Sequence, residues 1–144
     1  KYDYVIFIDN SCKLSEDECD ELLDGISDIV SMVFDYPDSR VGVVQFGDNK
    51  GSVEILIDLN DDLQNQDSSE YIGYLTQNAK CGDGGSGKTD LVHALKTQSE
   101  YLDYGDKVIK YIIVSACKDE SGRVCEYGHN HLLERGVEAH IINL

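Results

Sequence analysis

The segment Tyr4-Val5-Ile6-Phe7-Ile8 is an unbroken apolar run that stops at Asp9. A strand with one wet face alternates apolar and polar residues, and this one does not. It therefore reads as a central parallel strand buried on both faces, which demands covering layers on either side of its sheet. Ser15, with Glu18 three residues on, has the form of a capping box. Cys19, Leu22, Leu23, Ile26, Ile29, Val30 and Val33 follow at helical spacing until Pro37 and Asp38 stop the helix.

Val41 to Phe46 is a second apolar strand. After the turn at Gly47 to Gly51, Val53, Ile55, Ile57 and Leu59 alternate with other residues, as in an antiparallel edge strand. A polar stretch from Asn60 to Glu70 precedes a short helix around Tyr71 to Leu75. The loop from Lys80 to Lys88 is glycine-rich, and Thr89 opens a helix through Leu91, Ala94, Leu95 and Tyr101. Val108 to Val114 is again apolar, a short helix is expected around His131 to Glu134, and Val137 to Leu144 forms the last strand.

This alternation predicts a doubly wound α/β fold of Rossmann-like type. Its central sheet is mostly parallel with one antiparallel edge strand, and helices cover both faces. Right-handed crossovers gather the ligand loops at the carboxyl ends of the strands. Three segments meet there: Asp9 to Lys13, Gly82 to Thr89, and Ser115 to Cys117. A length of 144 residues suits one domain over the whole chain, 1–144.

A net charge of -16 repels phosphate backbones, which argues against a nucleic-acid partner. No apolar run is long enough to insert in a membrane. No signal peptide precedes the first strand, so the chain reads as an excised or processed piece.

The five cysteines are Cys12, Cys19, Cys81, Cys117 and Cys125. None forms a CxxC pair, which argues against a zinc ribbon or a thioredoxin motif. Cys117 to Cys125 reads as a disulfide-closed loop. A bridge from Cys12 to Cys81 is the second candidate, because both are expected in loops at the same end of the sheet. Disulfides imply an oxidising compartment, and an odd count leaves one thiol free or paired with another chain. The competing reading keeps all five reduced in a cytosolic protein.

Asp9 and Ser11 stand at i and i+2 directly after a buried strand. Their oxygens suit a hard cation such as magnesium. Further along, Arg40 to Phe46 reads Arg-Val-Gly-Val-Val-Gln-Phe, a glycine-rich loop leads through Thr89 to Ala94-Leu95, and Arg135 to Ile142 forms a late core strand. With these features the chain resembles von Willebrand factor type A (vWA) domains and integrin inserted domains over nearly its whole length. The family's usual closing strand and helix are missing from the pattern, so the domain is expected to be short or trimmed.

The resemblance implies a metal-ion-dependent adhesion site built from an Asp-x-Ser-x-Ser motif, a threonine and a later aspartate. Asp9, Ser11 and Thr89 match. Lys13 stands where the second serine belongs, and Ala116 where the aspartate belongs. An ammonium beside a divalent cation costs several kcal/mol unless water screens it. Asp90 and Asp119 are the carboxylates that could substitute.

The sharper expectation is that Lys13, Lys88 and Lys118 replace the metal and bind a partner carboxylate directly. The ligand end is then Asn10, Lys13, Lys88 and Asp90 around the incomplete set Asp9, Ser11 and Thr89. Magnesium or another divalent cation is the cofactor that the resemblance implies. A protein ligand is the implied partner, with collagen or other extracellular matrix material as its class, and the setting is secreted or cell-surface.

Two other readings stand beside this one. Gly82-Asp83-Gly84-Gly85-Ser86-Gly87-Lys88-Thr89 satisfies the P-loop pattern G-x-x-x-x-G-K-[ST]. A nucleotide-binding enzyme would need a buried strand running into Gly82 and a Walker-B aspartate after a later strand. The sequence before Gly82 is polar, and Val114 runs into Ser115 and Ala116. The other reading is a structural matrix-assembly domain linked by the odd cysteine. No catalytic set emerges: His129 and His131 are a weak metal pair, and Cys12 has no histidine placed for it.

Overall fold

In the computed structural model, the structure describes residues 2–10, 13–47, 53–81, 108–115 and 138–143. They form a five-stranded sheet of order β3-β2-β1-β4-β5. The strands are β1 (Tyr2–Asp9), β2 (Arg40–Phe46), β3 (Val53–Ile57), β4 (Val108–Ser115) and β5 (Glu138–Asn143). β1 pairs in parallel with β2 on one side and β4 on the other, and β4 pairs in parallel with β5. β3 runs antiparallel to β2 at the edge, with a register shift between Val43 and Val44. This is the mostly parallel sheet with one antiparallel edge that the apolar pattern predicts.

The helix α1 (Glu16–Phe34) starts at Ser15 with both halves of the capping box formed. Glu18 N–H donates to Ser15 Oγ, and Ser15 N–H donates to Glu18 Oε1, each at 3.2 Å. Those bonds satisfy amide groups that the first turn leaves without intrahelical partners. Leu22, Ile26, Val30 and Val33 form the buried stripe of α1. They pack with Ile6, Ile8, Val41, Val43, Ile112 and Val114 on one face of the sheet.

The opposite face of the central strands is covered as well, since Val5, Phe7, Val44 and Phe46 are all buried. Both sets in β1 alternate along one apolar run, so the strand needs no polar face.

The stretch read as polar connection holds more structure than its sequence suggests. Asp62–Asn65 is a short 3-10 helix, and the second helix, α2 (Ser68–Asn78), begins three residues before the expected start at Tyr71. Asp67 caps it by accepting from Glu70 N–H at 3.0 Å. Gln64 then ties this segment to β2: Val41 N–H donates to Gln64 Oε1, and Gln64 Nε2 donates to Val41 O. The buried Tyr71 hydroxyl also donates to Val41 O. Burial pushes its phenol well above the ordinary range, with the charge of Asp61 adding to the effect.

The cysteine expectations need one correction. Cys81 pairs with Cys19, not with Cys12. Cys19 lies on the stripe of α1 that reads as apolar core, and Cys81 follows α2 closely. Packing of α1 against α2 brings the two together. Cys12, Cys117 and Cys125 lie outside the described residues, as does the helix expected from Thr89.

Candidate functional site

β1 carries Asp9 to the carboxyl edge of the sheet, between the ends of β2 and β4. Asp9 pairs in register with Phe46, and Ile8 with Val114. Asp9 is 1 % exposed and Asn10 3 %. The next described residue, Lys13, is exposed. The chain thus passes from a buried, fixed aspartate to a solvated ammonium within a few residues.

Asn10 is what holds the start of this loop. Its backbone N–H donates to Phe46 O at 2.8 Å, continuing the β1–β2 pairing past the last strand residue. Its side-chain Nδ2 donates to Gln45 Oε1 at 3.0 Å. The same Gln45 oxygen accepts from Lys80 N–H at 2.8 Å. One buried amide oxygen therefore joins the end of β1, the end of β2 and the segment that leads from α2 into the glycine-rich loop. The orientation of Gln45 follows from this, because the Lys80 N–H needs an acceptor. Among the described residues, Asn10 Oδ1 and Gln45 Nε2 are buried without a hydrogen-bond partner.

Gln45 was not among the expected site residues. Its signal was present, as one amide in the apolar strand Val41-Gly42-Val43-Val44-Gln45-Phe46. A buried strand admits such a group only where something bonds to it.

Cys19 and Cys81 supply a second anchor at this end. Their bridge joins the first turn of α1 to the residue just before Gly82. Lys80 also faces Glu54 across 3.9 Å, but both side chains are more than half exposed, so that pair adds little.

As possible metal ligands, the described residues here contribute the Asp9 carboxylate and the Asn10 amide oxygen. Magnesium takes six oxygens in near-octahedral geometry, so these two alone do not make a site. No cluster of three or more His, Cys, Asp or Glu suited to a metal exists among the described residues. Ser11, Lys88, Thr89, Asp90, Ala116 and Lys118 lie outside them.

The P-loop context fails on described residues. The element before Gly82 is α2, capped at Ala79, where a P-loop requires a strand. β4 ends in Val114-Ser115 and contributes no aspartate at its carboxyl end.

The family model for the von Willebrand factor type A domain matches residues 4–118. No curated protein matches the chain. Among solved structures, proximal thread matrix protein 1 from the mussel byssus is similar at 22 % identity with a TM-score of 0.67. That alignment covers 98 % of this chain and 36 % of the mussel protein. A form of the mussel protein with a zinc-occupied MIDAS motif aligns at 21 % identity and a TM-score of 0.66, covering 99 % of this chain and 38 % of that one. The manganese-loaded TRAP protein of Plasmodium vivax aligns at 13 % identity and a TM-score of 0.64, covering 100 % of this chain and 57 % of that one. The chain thus spans less than two thirds of each of these proteins, and at such identities the likeness speaks for the fold.

Proposed function

Because the chain belongs to the von Willebrand factor type A domain family, we propose that it is a protein-binding module rather than an enzyme. Its ligand face is the set of loops at the carboxyl ends of the strands. The observation that carries this reading is the contrast between buried Asp9 and Asn10 and exposed Lys13. Asn10 is fastened to Phe46 and Gln45, so Lys13 projects from a base that is already ordered. An ordered base reduces the entropy lost on binding.

The recognised group is a carboxylate of the partner. Lys13 supplies ammonium charge where the family's usual pattern has a serine oxygen, and Lys88, Asn10 and Asp90 are assigned to the same ligand end. Asp9, Ser11 and Thr89 remain as an incomplete ligand set for magnesium or another divalent cation. Such an ion, when bound, would add Lewis-acid attraction for the same carboxylate. Lys13 opposes it, so the ammonium and the metal are alternatives at one place.

The setting we propose is extracellular, with a matrix protein such as collagen as the partner class. The Cys19–Cys81 bridge supports an oxidising compartment. No helix among the described residues is long and apolar enough to cross a membrane.

Calorimetric titration with magnesium, manganese and calcium tests the site, with Asp9→Ala as control. The reading expects weak or absent metal binding, and carboxylate-peptide binding that Lys13→Ala abolishes. Tight metal binding lost in Asp9→Ala would restore the metal-centred mode. Peptide binding unchanged by Lys13→Ala would remove the lysine from the site.

A further inference from the structure

Ser15 is exposed and stands two residues after exposed Lys13, where the chain enters α1. Its backbone is extended, with φ -69° and ψ 165°. Its Oγ accepts from Glu18 N–H at 3.2 Å. That bond occupies a lone pair and leaves the hydroxyl proton available. The side chain is thus an accessible alcohol in a fixed position, and a base from outside can take its proton.

The residues that follow set this serine apart. Glu16, Asp17 and Glu18 fill the next three positions, and all are exposed. Glu16 and Asp17 have no ion pair among the described residues. No other described serine is followed by three carboxylates in a row. Ser27 donates its hydroxyl to Leu23 O within α1, and Ser69 donates its own to the Asp67 carboxylate. An enzyme that acts on Ser15 meets three carboxylates directly after the acceptor residue. Charge complementarity then requires that its substrate groove be basic.

We propose that Ser15 is a phosphorylation site for a serine kinase that selects acidic acceptor segments. Ser15 Oγ attacks the γ-phosphorus of ATP, and the bond from that phosphorus to the β–γ bridging oxygen breaks. ADP leaves, and the hydroxyl proton passes to the base of the kinase. The product carries a charge of about -1.5 to -2 at neutral pH. The amino end of a helix tolerates an added anion, so α1 stays formed.

The modification acts on the ligand end. The Cα atoms of Lys13 and Ser15 are no more than about 7 Å apart, the reach of two residues. A phosphate at Ser15 offsets the Lys13 ammonium and opposes a partner carboxylate. This coupling rests on the reading of Lys13 as a carboxylate binder; the modification itself does not.

The test incubates the oxidised, folded chain with ATP and an acidophilic serine kinase of the casein-kinase type, and maps the phosphate by tandem mass spectrometry. One phosphate at Ser15 is expected, and Ser15→Ala should abolish it. Glu16→Gln combined with Asp17→Asn changes only exposed carboxylates and should slow incorporation at least about threefold. No phosphate at Ser15, or a rate indifferent to that pair of changes, would overturn the site. Calorimetry with the blocked peptide acetyl-Leu-Glu-Leu-amide, against its glutamine counterpart, then reads the coupling. The phosphorylated chain should bind the glutamate peptide at least about threefold more weakly than the parent chain. Equal affinity would overturn the coupling. A parent chain that does not prefer the glutamate peptide would refute the reading of Lys13 and the coupling with it, while the mapped phosphate decides the site by itself.

Discussion

Cys19 and Cys81 are bridged across 62 residues of sequence, with Cα atoms 5.7 Å apart. The bond fastens the amino end of α1 to the residue that opens the glycine-rich loop. On the chain-entropy account, closing a loop of this length stabilises the fold by about 4 kcal/mol. Cys19→Ser or Cys81→Ser should lower the urea midpoint accordingly, and reductant should do the same to the parent chain. Non-reducing peptide mapping checks the pairing. A Cys12–Cys81 fragment in its place would refute it.

Arg40 and Asp3 make a second long-range tie. Arg40 Nη2 and Nε donate to the two Asp3 oxygens at 2.6 and 3.1 Å, and the Asp3 side chain is fully buried. Arg40 also reaches Leu59 O and Asn60 Oδ1. Arg40→Met removes the guanidinium from which both oxygens of the buried Asp3 accept and should cost about 3 kcal/mol in denaturant unfolding. Asp3→Leu combined with Arg40→Met should cost less than Arg40→Met alone, since no charge is then left behind.

Gln45 predicts a local effect. Removing its side chain by Gln45→Ala leaves Asn10 Nδ2 and Lys80 N–H without their shared acceptor. The expected loss is about 1 to 3 kcal/mol. The more specific readout is faster amide exchange at Lys80, with the amides of α1 unaffected.

Asp67 gives the pH dependence of α2. The Ser69 hydroxyl first, and Glu70 N–H next, hold its carboxyl below the ordinary value of 3.8. A depressed carboxylate stabilises the fold above its unfolded value, and that contribution is lost as pH falls through the folded value. The stability gap between the parent chain and Asp67→Asn should therefore be full at neutral pH and close in the acid range below 3.8. A gap that stays constant with pH would show that the charge plays no part.

The local pattern of the chain is legible in its residues. The apolar run of β1 and the capping box at Ser15 depend on near neighbours, and each appears where expected; β3 stands in its expected place at the edge, but it ends at Ile57 and the register shift at Val43 and Val44 interrupts its alternation. Asp9 at the carboxyl end of β1 follows from the same run. Less legible was the start of α2, because Ser68, Ser69 and Glu70 are polar and its cap at Asp67 resembles a loop residue.

What the sequence determined by itself was the order of the strands and of the first two helices along the chain, and hence the mostly parallel sheet, because periodicity and capping act over a few residues. Only the tertiary structure decided the pairings across the chain. Helical spacing places Cys19 with the core, yet the approach of α2 makes it a disulfide partner. Gln45 reads as an odd polar residue until Asn10 and Lys80 converge on its oxygen. Contacts of this kind depend on how elements pack in space, and no interval along the chain encodes that distance.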